Sequence, residues 1–382
     1  MSRLEELIQQ LCPNGVEYKA IKEEYQRLKG TPITATKMKE IAHDGGNIRV
    51  FAGGKTVIDT REKDIPNANI IRVPAVLVQS RGVIDAIYYE KPFTFKNEMW
   101  AYTHPEKTSV KYLYYVLKNN MGRFRDTASG MGSLPQISLS VTEDFHIPLP
   151  PLPVQQEIVR ILDSFTELTA ELTAELTAEL TARKKQYAYY RDELFRTAKD
   201  ASVHYLNEIS DNCDNQRRPV TSGNRIAGKY PYYGASGIVD YVDDYIFDGD
   251  YLLISEDGAN LLARSTPIAF SIAGKNWVNN HAHVLHFDTY DTRRYVEIYL
   301  NSIDLSPYIT GGAQPKLNQK NLNKIPIPLP SPDEQHRIVS ILDRFDTLCN
   351  DLTSGLPAEI EARKKQYEYY RDKILSFEEL KR

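Results

Sequence analysis

Two stretches of the chain carry apolar residues at spacings of three and four. Ile158, Ile161, Leu162, Phe165, Leu168, Leu172, Leu176 and Leu180 form the first series, and Ile338, Ile341, Leu342, Phe345, Leu348, Leu352, Leu356 and Ile360 form the second. Such spacing places them on one stripe of a helix. Each stretch follows a proline-rich segment that cannot continue an upstream element. The first predicts a helix from Pro153 to Phe195, about 43 residues or about 64 Å at 1.5 Å per residue. Within it, Thr-Ala-Glu-Leu is repeated from Thr169 to Leu180, and Ala, Glu and Leu are strong helix formers. A four-residue period drifts about 40° per repeat against the 3.6-residue turn, so the leucine stripe wraps gently. The plain reading is a solvated spacer helix. Paired with a twin, such a helix would also hold two domains at a set distance.

The twin is present, because the chain repeats itself. Ile147-Pro148-Leu149-Pro150 returns as Ile327-Pro328-Leu329-Pro330, and Ala182-Arg183-Lys184-Lys185-Gln186-Tyr187 returns as Ala362-Arg363-Lys364-Lys365-Gln366-Tyr367. Tyr189-Tyr190-Arg191-Asp192 matches Tyr369-Tyr370-Arg371-Asp372. The offset is about 180 residues, far longer than the ~20–50 of a solenoid, so this is a duplicated domain pair. Between the helices the echo is fainter. Phe51-Ala52-Gly53-Gly54 corresponds to Tyr233-Gly234-Ala235-Ser236. Val76 to Gly82 and Leu252 to Gly258 are apolar, β-prone runs ended by glycine, which predicts buried strands. A short amphipathic helix is expected around Tyr112 and around Tyr295, each followed by a turn, Ser129-Gly130-Met131-Gly132 or Thr310-Gly311-Gly312-Ala313. The order is shared while the residues differ, as expected of two domains of one fold with different surfaces. The division is residues 1–150 and 199–330 for the domains, and 151–198 and 331–382 for the helices.

Composition narrows the class. The 382 residues are 41% hydrophobic and 26% charged, ordinary for a folded protein, and long enough for more than one domain of ~150 residues. The apolar runs fall well short of the ~20 residues that span a membrane, and the polar, amphipathic start from Met1 to Gln10 does not resemble a secretion signal. Cys12, Cys213 and Cys349 are odd in number and far apart, which suits a reducing cytoplasm and excludes a disulfide framework. The formal charge of −4 argues against a simple nonspecific nucleic-acid binder. It is unevenly placed, with about +3 over residues 1–150 and about −3 over 199–330. DNA binding by this chain alone should therefore be weak, with partner subunits supplying phosphate-neutralising charge. Tyrosine, with 25 residues against 12 phenylalanines, suits cores and wet interfaces alike.

Catalytic signals are wanting. Gly53-Gly54-Lys55-Thr56 mimics the end of a phosphate-binding loop, but the first glycine of that motif would fall at Arg49. His281 and His283 would share one face of a strand, yet no carboxylate or cysteine stands at metal-ligand spacing, so no metal site is expected. There is no G-x-S-x-G elbow, no deaminase zinc signature and no Asp/Asn-Pro-Pro-aromatic run of an amino-methyltransferase. Cys213 and Cys349 have no histidine close by in sequence and read as inert.

Ile147 to Pro151 with Gln155-Gln156-Glu157-Ile158, and again Ile327 to Ile338, resemble the specificity (S, HsdS) subunit of type I restriction–modification systems. The same resemblance is carried by Cys12-Pro13-Asn14-Gly15-Val16-Glu17-Tyr18, Tyr230 to Gly237, Phe247 to Ile254, Asn279 to Leu285 and the Thr-Ala-Glu-Leu array. It covers essentially the whole chain. The chain is compact for that family, and its first domain has Phe51-Ala52-Gly53-Gly54-Lys55 in place of a Tyr-x-x-x-Gly-Ala pattern. The resemblance implies two mixed α/β (α+β) target-recognition domains separated by a long antiparallel helical pair, with pseudo-twofold symmetry. It implies a non-catalytic subunit whose domains each read one half of a bipartite, asymmetric site in double-stranded DNA. Two modification subunits, binding S-adenosylmethionine, would methylate adenine. Two restriction subunits would use ATP and Mg for translocation and cleavage. No cofactor and no membrane partner is expected for this chain.

Base reading needs donors and acceptors in the major groove. The candidates beside the glycine-rich loops and strand ends are Lys55, Arg81, Arg125, Ser133 and Gln136 in the first domain. In the second they are Lys229, Ser236, Asn260, Lys275, Gln314, Lys316 and Lys320. For any one of them the plain alternative is a solvated loop residue. Arg183, Lys184, Lys185, Tyr187 and Tyr190, with Arg363, Lys364, Lys365, Tyr367 and Tyr370, are the candidate docking residues, since two identical partners need two equivalent surfaces. The alternative for these is a helix end that only packs on the other helix. One Thr-Ala-Glu-Leu unit adds about 6 Å of helix against about 3.4 Å per base pair, so the array would act as a ruler for half-site spacing. Two other classes stay open: a coiled-coil adaptor bridging proteins without DNA readout, and an enzyme whose site is assembled from scattered residues.

Overall fold

The computed structural model describes residues 2–54, 56–129, 134–312, 314–351 and 354–380. The chain divides into two compact units, Met1–Glu175 with Ile360–Arg382, and Leu176–Glu359. Each globular part thus carries portions of both helical stretches. The first stretch is one uninterrupted helix, Leu152–Thr197, within two residues of expectation at either end. The second departs from a single helix over 331–382 and is broken into Pro332–Asn350 and Leu356–Ile374. Where the first helix has Glu175 and Thr177, the second has Gly355 and Pro357. A Cβ on Gly355 would stand 2.7 Å from the carbonyl oxygens of Thr347 and Asp351, and Ser354 Oγ donates to the Asp351 carboxylate at 2.5 Å. Pro357 lacks an N–H and is tolerated in the first turn of a new helix but not in mid-helix. Leu352 of the predicted stripe lies outside the described residues.

In the first unit the strands are β1 (Glu17–Ala20), β2 (Gln26–Leu28), β3 (Ile48–Phe51), β4 (Val57–Thr60), β5 (Ala75–Gln79), β6 (Asp85–Tyr89), β7 (Phe93–Phe95), β8 (Trp100–Thr103) and β9 (His146–Leu149). They form sheets in the orders β2-β8-β5-β6 and β4-β3-β7, and the antiparallel pair β1-β9. In the second unit they are β10 (Ser202–Tyr205), β11 (Asp211–Asn212), β12 (Ala227–Gly234), β13 (Gly237–Val242), β14 (Phe247–Asp248), β15 (Tyr251–Ser255), β16 (Ala269–Ile272), β17 (Lys275–Val278), β18 (Ala282–His286) and β19 (Pro326–Leu329). The sheet orders are β11-β18-β15-β16, β13-β12-β17-β14 and the antiparallel pair β10-β19. Apart from β14, whose place beside the parallel partner is taken in the first unit by the isolated antiparallel bridge of Ile71 to Phe93, one topology is built twice, down to the parallel pairing of β3 with β7 and of β12 with β17. The apolar runs read as buried strands are β5, buried along its whole length, and β15, buried from Leu252 onward.

The repeated motifs are architectural. Ile147 and Ile327 are fully buried on β9 and β19. The predicted amphipathic helices are Lys107–Asn119 and Tyr290–Ser302, and each buries a tyrosine whose hydroxyl donates to the proline carbonyl of the neighbouring strand. These are Tyr112 to Pro148 (3.1 Å) and Tyr295 to Pro328 (2.7 Å). Gln155 Nε2 donates to the Pro150 carbonyl (2.8 Å), and Gln335 Nε2 to that of Pro330 (2.7 Å), which ties each strand to the helix after it. Helix pairing is also repeated. In the first unit Phe165 meets Tyr370, with ring centroids 6.1 Å apart, and in the second Phe345 meets Tyr190 at 5.8 Å. Within the first unit the contacts run from Phe165–Tyr370 to the groove lined by Leu172 and Arg363, so the two segments are antiparallel.

Candidate nucleic-acid interface

The end of the central strand in each unit is held by a small backbone clasp. In the first unit Ile137 N donates to Ser80 O (2.9 Å) and Gly82 N to Pro135 O (2.9 Å), while Ser129 and Gln136 exchange N–H···O bonds of 2.9 and 3.1 Å. In the second unit Leu317 N donates to Glu256 O (2.8 Å) and Gly258 N to Pro315 O (3.1 Å), while Thr310 and Lys316 exchange bonds of 2.8 and 2.7 Å. Arg81 thus faces Gln136 across an antiparallel bridge, and Asp257 faces Lys316 across its equivalent. A side-chain tie is repeated as well: Gln79 Nε2 donates to Gly54 O (2.5 Å), and Ser255 Oγ to Ala235 O (2.5 Å). Gly82 (φ 76°) and Gly258 (φ 105°) turn the chain after the strand through backbone angles that a side chain disfavours.

Beneath the clasps the two units differ. In the first, Ser80 Oγ donates to Glu98 O, and the charged pair there among the described residues is the part-exposed Lys96–Glu98 at 3.0 Å, with Glu98 Oε1 also accepting from Gly53 N (3.4 Å). In the second it is ionic. His283 is buried with Nδ1 2.6 Å from the Asp214 carboxylate and Nε2 2.7 Å from the Leu317 carbonyl. Arg217 Nη1 lies 2.7 Å from Glu256 and Nη2 3.4 Å from Asp214, and Lys316 Nζ is 3.1 Å from Glu256. Burial alone would raise the two carboxyl groups. His283 and Arg217 nevertheless hold Asp214 below the ordinary range, and Arg217, His283 and Lys316 hold Glu256 there. Asp214, Glu256 and His283 bring potential metal ligands within 4.8 Å of one another. Those carboxylates already face the protein's own cations, so the cluster reads as a buried ion-pair network. It shows that carboxylates remote in sequence do stand beside His283, which spacing had not disclosed; His281 instead pairs with Asp257 at 2.9 Å.

The sequence-selected residues fall into separate groups. Arg81 and Gln136 lie together on the first clasp, and Lys316 lies on the second with Gln314 beside it. Lys55 and Ser133 lie outside the described residues, as do Gly130, Gly132 and Ala313 of the predicted turns. Arg125 Nε donates to the Ile84 carbonyl (3.2 Å) and so secures the loop after β5. Asn260 closes its own loop: Nδ2 donates to Thr266 O, and Oδ1 accepts from Ser265 Oγ and Thr266 N. Its Oδ1 is engaged within the loop, and one Nδ2 hydrogen is used there as well, so the side chain is held in place by its own loop. Ser236 is exposed at the tip of the β12–β13 hairpin, and Lys320 is exposed on the short helix Gln319–Leu322.

Lys229 and Lys275 form a different patch. Lys229 lies 5.2 Å over the Tyr230 ring and Lys275 4.5 Å over Tyr245, and those two rings are 5.1 Å apart. Arg225 lies 4.3 Å over Tyr232, which stacks on Trp277. Lys229 lies near the start of β12 and Ser236 just beyond its end, about 23 Å apart at 3.3 Å per residue, so the two belong to separate patches. Cations held over aromatic faces suit backbone contact more than base reading. In the first unit the corresponding sheet face is covered by the helix Ala35–Ile41, with Met38 and Ile41 packed on Ile48 and Val50.

Among the docking candidates, Tyr187 packs against Tyr295, Ile298 and Leu342, and burial pushes its hydroxyl up to about 12. Tyr367 is half-buried, with its hydroxyl 3.0 Å from Thr166 Oγ1. Both tyrosines face helix packing inside their own units. Tyr190 and Tyr370 contact Phe345 and Phe165 but stay 42% and 41% exposed. Lys184, Lys185, Lys364 and Lys365 are exposed, with Lys365 3.7 Å from Glu361. Arg183 and Arg363 each donate to a glutamine three residues on, at 3.0 and 3.2 Å. Tyr189 and Tyr369, not selected from the sequence, are each 63% exposed and make the same edge-on contact with their neighbour, 5.5 and 5.4 Å between centroids. Their place in the duplicated Tyr-Tyr-Arg-Asp run was the available signal.

Comparison with known proteins gives a consistent picture. Residues 22–182 and 199–362 each match the family model described as "Type I restriction modification DNA specificity domain". A Haemophilus influenzae type I restriction enzyme specificity subunit is 39% identical over 179 residues, covering 46% of this chain and 46% of the relative. The Escherichia coli EcoR124I/EcoR124II specificity subunit is 37% identical over 300 residues, covering 71% of this chain and 72% of the relative. The chain therefore spans about half the length of the first of these relatives and somewhat over two thirds of the second. Two solved structures share the fold. One, from work on complex assembly and conformational transition of the type I R-M system, has a TM-score of 0.62 at 16% identity and covers 95% of this chain and 98% of that one. The S subunit of the type I system from M. genitalium has a TM-score of 0.51 at 18% identity, covering 94% and 96%. Among the described residues no helix is long and apolar enough to cross a membrane.

Proposed function

The chain belongs to the family of type I restriction–modification DNA specificity domains, and from that premise we propose how its duplicated architecture is used. Each unit reads one half of a bipartite sequence in double-stranded DNA. The carrying observation is that two domains of one topology present the same backbone clasp with different side chains. One fold supplies one docking geometry, and different side chains supply two different half-sites. The target is then asymmetric, and the continuous helix Leu152–Thr197, which enters both units, sets the spacing. Inserting or deleting one Thr-Ala-Glu-Leu unit is expected to shift the preferred spacer by one or two base pairs and to leave both half-sites unchanged.

The chain performs no chemistry in this reading. Two modification subunits carrying S-adenosylmethionine dock on the duplicated helix surfaces and methylate adenine in each half-site. Restriction subunits supply the ATP- and Mg-dependent steps, and the assembly works in the cytoplasm. The basic, aromatic patch around Lys229 and Lys275 contacts phosphates, and the partners provide most of the remaining positive charge.

The test is co-expression with the modification subunit of its own system in a host lacking adenine methylation, followed by genome-wide mapping of methyladenine. A single bipartite motif that disappears when this chain is omitted is the expected result. A stable complex of the two proteins that adds no methylation would overturn it in favour of an adaptor without DNA readout.

A further inference from the structure

We infer that one bridged residue pair in each clasp selects the bases: Arg81 with Gln136 in the first unit, and Asp257 with Lys316 in the second. The inference rests on the reading that the units recognise DNA half-sites, and it names the residues and base classes for each half. The backbone at both places is the same, with the same donor and acceptor positions along the strand end and its partner segment. The positions flanking the second bridge, Glu256, Pro315 and Leu317, are buried, as are Ser80 and Ile137 at the first. The bridged positions themselves reach solvent: Arg81, Gln136 and Lys316 are exposed and Asp257 is half-exposed. A fixed scaffold with variable, outward side chains is what selection between bases requires.

The four side chains also divide by chemistry. Arginine presents a fork that matches guanine O6 and N7, and a glutamine amide matches adenine N6 and N7. Aspartate only accepts, so Asp257 selects a base with an exocyclic amino group, cytosine or adenine. Lysine only donates, so Lys316 selects an acceptor edge, guanine or thymine. Residues bridged across an antiparallel pair stand about 4.5–5.5 Å apart at Cα, close enough to address adjacent base pairs. The first half-site is therefore expected to contain guanine next to adenine, and the second an amino-bearing base next to a guanine or thymine. The second pair is also pre-positioned, with Asp257 against His281 at 2.9 Å and Lys316 against Glu256 at 3.1 Å.

The experiment first maps methyladenine for the wild-type complex with its modification subunit, then repeats the mapping with Arg81→Lys, Gln136→Glu, Asp257→Asn and Lys316→Gln. Synthetic duplexes carrying the wild-type motif, each with one base pair exchanged, give the preference at every position. Arg81→Lys and Gln136→Glu are expected to relax or change one half-site by about 10-fold to 100-fold at one position and to leave the other half intact. Asp257→Asn and Lys316→Gln should do the same in the opposite half. An unchanged motif, or equal weakening at all positions of both halves, overturns the assignment while the half-site reading stands. A wild-type complex without any bipartite motif overturns that reading itself. Lys316→Arg retains a cation facing Glu256, so a changed half-site in that variant separates base selection from loss of the underlying ion pair.

Discussion

The two clasps share a backbone and stand on opposite kinds of foundation. Under the first, a serine hydroxyl and an amide secure neighbouring carbonyls. Under the second, Asp214, Glu256, His283 and Arg217 form a buried ionic layer whose carboxylates have little contact with water. The same loop path can thus be secured by neutral hydrogen bonds or by paired charges. The ionic solution has a distinctive weakness. Removing one charge leaves another buried and uncompensated, whereas losing one neutral hydrogen bond costs only about 1–3 kcal/mol.

Arg217→Leu therefore has the largest expected effect, a loss of about 3–5 kcal/mol confined to the second unit, because Asp214 and Glu256 lose the cation between them. Trp100 and Trp277, one in each unit, report the units separately when the other is replaced by phenylalanine. Urea unfolding followed through Trp277 should shift while that followed through Trp100 stays in place. Equal shifts would mean that the units do not unfold independently and that the contrast between their foundations has no separate energetic consequence.

Acid should reveal the same contrast. Asp214 and Glu256 lie below the ordinary carboxylate range in the folded unit. Their contribution is complete above a pH of about 4, the range of an unfolded carboxylate, and is lost as pH falls through their folded values. In the first unit Asp59 and Glu90 are also lowered, by Arg49 and by Lys107, but these are surface pairs with little effect on stability. The one buried carboxylate there among the described residues, Glu157, is lowered by Arg160, whose own side chain is largely exposed. Below pH 4 the fluorescence of Trp277 should change before that of Trp100. The reverse order would place the acid-sensitive charges in the first unit.

What could be read from the sequence follows from which contacts are local. The long helix, the strands β5 and β15, and the helices bearing Tyr112 and Tyr295 are periodic or apolar over a short window, and the duplication presents each of them twice. Gly355 and Pro357 were equally visible, but the apolar stripe ran across them at the correct spacing and concealed the break. Asp257 had no local signal of its own, and only the bridge to Lys316, 59 residues on, places it beside a candidate base reader. The ionic layer had no local signal, since Asp214 and His283 are 69 residues apart and only the pairing of β11 with β18 brings them together. Asn260 shows a local device that composition alone does not reveal: its amide is held within its own loop by Ser265 and Thr266, five and six positions away.

Where the units agree, their variants should agree. Tyr112→Phe and Tyr295→Phe each remove the donor to a proline carbonyl, and each should cost about 1–2 kcal/mol in its own unit. A ratio of the two losses near one, read through the two tryptophans, would show that the shared bond has the same strength in both settings. A large loss in one unit alone would show that the equivalence is geometric and not energetic.

The smallest effect on stability, and the sharpest test of equivalence, is expected on the helices. Tyr189 and Tyr369 are equally exposed and carry the same edge-on contact with the next tyrosine. Replacing either with alanine should change stability by no more than about 0.5 kcal/mol, as for other surface positions. If these rings belong to the two docking surfaces proposed for the modification subunits, each single variant should lower the number of bound subunits from two towards one. The double variant should abolish binding, and native mass spectrometry of the purified complex counts the copies. Full occupancy in the double variant would remove the exposed rings from the docking surface and leave the neighbouring lysines, Lys184 and Lys364 among them, to carry it. Loss of both subunits in one single variant would show instead that docking is cooperative, with a surface that is duplicated in structure but not independent in binding.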